Sequence, residues 1–141
     1  MANYDAVDCT ADANCSNRSI QFTATDATPH TLLDGDGHEL YIWTGDTFAP
    51  GGNVTVDDIE IVGTFTAAGT ESHTVSGSTI NSGTFTDASS TVTFDATGTG
   101  ESITTGGSEW YALTFNGSGR GWTLTDSLTV TNAFKVLAGT V

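Results

Sequence analysis

Asp34-Gly-Asp-Gly-His-Glu39 gathers three acidic side chains within six residues. Calcium takes roughly six to eight oxygen ligands, often from Asp/Gly loops of this kind, so Asp34 and Asp36 stand as weak candidate ligands for that ion. The spacing lacks the closing glutamate of an EF-hand and does not repeat along the chain. The plainer reading is a solvated turn closed by local Asx hydrogen bonds. His30, His38 and His73 show no Ser-His-Asp or His-x-x-x-His relation in sequence, so no nucleophilic triad is signalled. Among the large aromatics, Trp122 shares a face with Leu124 by strand alternation and reads as buried. Trp110 alternates opposite to Leu113 and Phe115, so it is expected on the outer face, as the candidate contact for a sugar ring. Cys9 and Cys15, separated by five residues in a polar stretch, read as a local disulfide, which implies an oxidising compartment.

Charge narrows the partners. Seventeen acidic residues face only Arg18, Arg120 and Lys135, for a net charge of −14. Nucleic-acid binding rests on Lys/Arg contacts to phosphate, and this chain cannot supply them. An anionic membrane surface repels it for the same reason, and no apolar run resembles a signal peptide or a membrane span. Charged residues reach only 14%, with Thr, Ser, Gly and Asn in their place, which is the composition of a secreted, extracellular β-protein.

These residues must be positioned by strands, because no window carries an apolar stripe at helical spacing. Glycine, a small polar residue and a bulky apolar one recur at Gly45-Asp-Thr-Phe48, Gly63-Thr-Phe65, Gly83-Thr-Phe85, Gly100-Glu-Ser-Ile103 and Gly121-Trp-Thr-Leu124, in steps of 18, 20, 17 and 21. A second series runs out of phase: Asn53-Val-Thr-Val56, His73-Thr-Val-Ser76, Thr91-Val-Thr-Phe94, Ala112-Leu-Thr-Phe115 and Phe134-Lys-Val-Leu137. Its steps are 20, 18, 21 and 22. A beat of about 20 residues is the signature of stacked coils. The expected fold is all-β: a short right-handed parallel β-solenoid of about five coils over 45–141, led by an irregular cap and leading strands in 1–44. An antiparallel β-sandwich is the alternative. The inward set is expected to be Val54, Val56, Ile59, Ile61, Phe65, Val75, Ile80, Phe85, Val92 and Phe94, continuing through Ile103, Tyr111, Leu113 and Phe115. Outward threonine pairs, such as Thr64/Thr66 and Thr84/Thr86, read as ordinary β-branched surface; a flat Thr-x-Thr ladder is also what an ice-binding solenoid presents. Asp58, Glu60, Asp87, Asp95 and Glu101 could form the carboxylate face of a solenoid polysaccharide lyase or hydrolase, but two Arg and one Lys are few for uronates. The chain is therefore expected not to be an enzyme.

The segments Gly83-Thr-Phe-Thr-Asp-Ala-Ser-Ser-Thr-Val-Thr-Phe-Asp95, Trp110–Gly119 and Trp122–Val130 resemble repeats of large bacterial cell-surface β-solenoids of the adhesin type. The resemblance implies an architecture and a surface location, and it brings no catalytic residues. No capping segment is read at Ala138-Gly-Thr-Val141. A solenoid's terminal coil presents unpaired backbone groups and an apolar cross-section, which proteins normally cover. Three readings follow: the chain continues in a longer protein, its last strand folds back, or the edge serves assembly. In the last, Phe134, Val136 and Val141 form one side of the contact, and Ile20 and Phe22 in the strand Ile20–Thr25 form the other. The expected partner is the protein itself, in an end-to-end filament, with extracellular polysaccharide as the alternative.

Overall fold

Up to residue 104, runs of alternating apolar and β-branched residues are broken after two to four positions, mostly by Gly, Ser, Asn or Asp, so the strands there stay short and the chain bends at the breaks. The computed structural model describes residues 30–32, 39–96 and 98–141. Cys9, Cys15, Ile20, Phe22, Asp34, Asp36 and His38 lie outside them. The strands are β1 (His30–Leu32), β2 (Glu39–Ile42), β3 (Thr47–Phe48), β4 (Val54–Val56), β5 (Asp58–Ile61), β6 (Thr64–Thr66) and β7 (Ser72–Val75). They continue as β8 (Thr79–Asn81), β9 (Thr84–Thr86), β10 (Thr91–Phe94), β11 (Glu101–Thr104), β12 (Glu109–Leu124) and β13 (Thr129–Thr140). Among the described residues there is no helix.

Among the described residues every ladder is parallel, which excludes the antiparallel sandwich there. The first face stacks β1, β4, β7, β10, the start of β12, and β13. The second stacks β2, β5, β8, β11 and the end of β12, and the third stacks β3, β6 and β9. The chain is a β-solenoid of about five turns. The leading strands β1 and β2 stack directly on β4 and β5, so the ladders already begin ahead of residue 45.

Side chains of one kind pile above one another. Leu32, Val56, Val75, Phe94, Phe115 and Val136 share one register position on the first face. Val56, Val75, Phe94 and Phe115 are buried there, and full burial of such a side chain stabilises by about 1.5–3 kcal/mol. On the third face the rings of Phe48, Phe65 and Phe85 follow at 5.4 and 5.2 Å.

Two departures from local alternation have a common cause. Ile80, expected inward, is 43% exposed, while Thr79 and Asn81 are buried. Thr79 is held in register with Ile59 and Ile103, and Ile80 with Glu60 and Thr104, so neighbouring coils decide which side chains turn inward. The glycine series also changes face. Gly63 and Gly83 open third-face strands, whereas Gly100 and Gly121 open second-face ones. The cross-section narrows in the upper coils, where a Thr105–Ser108 turn, closed by Ser108 N–H to the Thr105 carbonyl at 3.1 Å, occupies the place of a third-face strand. Asn81 fills that corner. Its Nδ2 donates to the Thr105 carbonyl (2.8 Å) and Ser108 Oγ (2.9 Å), and its Oδ1 accepts from Gly83 N–H (3.1 Å).

Candidate functional site

The last turn is where the apolar columns meet water. Strand β13 lies along β12 over Glu109–Phe115 and again near Asn116 and Gly121, with register irregularities at Trp110/Ala112 and beyond Phe115. Among the described residues, no strand pairs with its other edge. Phe134 stands in register after Leu113, and Val136 after Phe115. Leu113 and Phe115 are 1% and 0% exposed; Phe134 and Val136 are 50% and 46%. The Phe134 ring continues the interior stack, 5.8 Å from Phe115, which itself lies 5.3 Å from Phe94. Leu137 and Val141 add further exposed apolar surface. Phe134 and Val136 thus lie on the last strand of the first face, and Val141, just past that strand, is exposed as well. Leu137 escaped the sequence reading because it occupies an extra position in the ladder, between Val136 opposite Phe115 and Ala138 opposite Asn116.

The end is anchored firmly to the coil beneath it. Asp126 accepts from the N–H groups of Thr105 and Gly106, both at 2.8 Å, and Thr105 Oγ1 donates to the Ser127 carbonyl at 2.9 Å. The bond from Thr105 N–H leads in holding the Asp126 carboxyl below its ordinary pKa; slight burial works against it, and the Gly106 N–H adds to it. Trp122 seals the corner: it is buried 5.0 Å from Phe115 and lies against Gly117 and Gly139. Gly139 has φ +93°, and a Cβ there would meet Trp122 and the Gly117 carbonyl.

Trp110 is a correction. It is 3% exposed, with its ring 4.6 Å from Phe85. An irregularity between Trp110 and Ala112 reverses the alternation, so Ala112 and Leu113 are both buried and Trp110 turns inward. There its indole continues the Phe48–Phe65–Phe85 stack above the last third-face strand. It offers no sugar platform. Tyr111, expected inward, is partly exposed in consequence.

Four of the five candidate carboxylates accept hydrogen bonds within the coil stack. Asp58 accepts from Ser78 N–H at 2.5 Å, Glu101 from Ser78 Oγ at 2.8 Å, and Asp95 from Ser76 Oγ at 2.9 Å. Asp87 accepts from Tyr111 N–H on another corner. Its burial raises the carboxyl to about 6 against a bond to its own backbone N–H, and the neighbouring Glu109 carboxylate adds to the rise. Glu60 sits in register between Tyr41 and Ile80. Among the described residues, no three His, Cys, Asp or Glu side chains converge as metal ligands.

His73 is an interior residue. It is in register with Val92, packs edge-on to Phe65 at 5.2 Å, and accepts Val54 N–H on Nδ1 at 3.2 Å. Burial lowers its pKa to about 4, with the Glu71 carboxylate pulling weakly upward. It lines a cavity of about 20 Å³ together with Thr79 and Trp110. His30 belongs to β1, opposite Val54.

The outward face is a ladder of hydroxyls, with Thr55, Thr74, Thr93 and Thr114 in one register position that ends at Lys135. No family model matches the chain, and neither the curated proteins nor the solved structures contain a match to it.

Proposed function

We propose that this protein is a non-enzymatic structural solenoid of the extracellular surface, which associates end to end through the open edge of β13 into a fibre or serves as one coil stack of an adhesin-type surface protein. The observation that carries this reading is the end of two buried columns at half-exposed Phe134 and Val136. About half of each side chain remains in water, so covering them with a further coil would stabilise by about 1 kcal/mol apiece, before the backbone bonds a new strand adds. The stacked-repeat geometry suits such growth, because each coil contacts only its neighbours and any further coil finds the same surface. The low charge density and the threonine-rich faces fit a secreted protein. The polysaccharide-binding alternative loses its best contact, since Trp110 is buried.

The test is negative-stain imaging of concentrated wild-type protein beside Phe134→Glu/Val136→Glu. Rods or fibres longer than a single solenoid are expected for the wild type, and single particles for the variant. Single particles in both samples would overturn end-to-end association through β13.

A further inference from the structure

The self-association reading leaves open which surface meets β13, and the inference drawn here rests on that reading. We propose that the complement is β1 of a second copy, His30–Leu32, stacked head to tail so that the ladders of one molecule run on into the next.

The register supplies the first reason. On the first face, Leu32 precedes Val56 in the column that closes at Val136, and Thr31 precedes Thr55 in the column that closes at Lys135. Among the described residues, β1 pairs on one side only, with β4. Placing β1 of a second copy beside β13 continues each column by one step: Leu32 follows Val136 and Thr31 follows Lys135. Strand direction is preserved, so the new ladder is parallel like every other in the fold. A tail-to-tail arrangement would set β13 against β13 with opposed directions, an antiparallel ladder unlike every ladder among the described residues. The head-to-tail contact is heterologous and leaves a fresh β13 at the far end, so it propagates.

Charge supplies an independent reason. Residues 110–141 hold Arg120 and Lys135 against Asp126 alone, a net +1, although the whole chain carries −14. The first 39 residues hold seven acidic side chains against Arg18, a net −6. β13 itself carries Lys135 and no acidic side chain, and Lys135 projects from the outward position of that strand. Opposed charges favour head against tail, while two heads or two tails repel.

Adjacent parallel strands lie about 4.8 Å apart, inside the roughly 4.4–6.8 Å range of Cα separations that a disulfide bridges. Thr31→Cys and Lys135→Cys are therefore made separately in the full chain, mixed in equal amounts and oxidised mildly, and the linked peptides are mapped so that Cys9 and Cys15 are distinguished. An interchain link between positions 31 and 135 is expected in the mixture, at concentrations where the wild type associates. A link from position 135 to itself would overturn head-to-tail stacking, as would associated wild-type protein with no 31–135 link. Either result leaves self-association standing. A wild type that is monomeric at every concentration removes both.

Discussion

Two titrating side chains set opposite pH slopes on stability. His73 is held neutral in the fold, with its pKa at about 4, while in the unfolded chain it titrates near 6.5. Between those values the unfolded chain binds more protons, so this contribution is complete above about 6.5 and is lost as pH falls toward 4. Asp87 works the other way. Its folded pKa of about 6 lies above the ordinary 3.8, so its contribution is complete below 3.8 and is lost as pH rises to 6. Asp87→Asn removes the falling slope and keeps an acceptor for Tyr111 N–H. Denaturation midpoints of this variant should climb more steeply than wild type from about pH 4 to 6; parallel curves would show that Asp87 is not destabilised by ionising. Glu71 belongs to a lower range. Burial opposes its ionisation, but the N–H groups of its own residue, Gly69 and Ala68 hold its carboxyl below the usual value, closing the turn ahead of His73.

At the scale of strands and corners, glycine marks where neighbouring backbones approach most closely. A Cβ on Gly83 would fall against the carbonyl oxygens of Gly63 and Val62, and one on Gly63 against those of Trp43 and Asp46. Backbone cannot give way as a flexible side chain can. Gly83→Ala should cost on the order of 1–3 kcal/mol in denaturant unfolding, as overpacked sites do, with Gly69→Ala as the contrast, since a Cβ there meets nothing within 4 Å. Equal effects at the two sites would contradict the corner packing. The same corners explain what could be read from the sequence. The first-face tetrapeptides repeat strongly enough to give the coil, its core residues Val56, Val75, Phe94 and Phe115, and the exposed end at Phe134 and Val136. Register between coils is a contact property, so local alternation misplaced Ile80 and missed buried Thr79 and Asn81. Trp110 was misread because an irregularity one residue away inverted the pattern, and no local residue type announces it.

Viewed whole, the described residues form a column whose apolar interior runs from Leu40 to Trp122 and then emerges at Phe134 and Val136. Stability in such a stack is mostly a sum of nearest-neighbour terms, so the terminal coil is the first to open unless something covers it. Hydrogen exchange resolves this strand by strand, and the concentration dependence of amide protection is the most direct test of assembly at the open edge. Protection across Thr129–Thr140 should rise with protein concentration, while that of Thr91–Phe94, already paired on both sides, stays constant. Exchange from Thr129–Thr140 that is the same at every concentration would contradict association through β13.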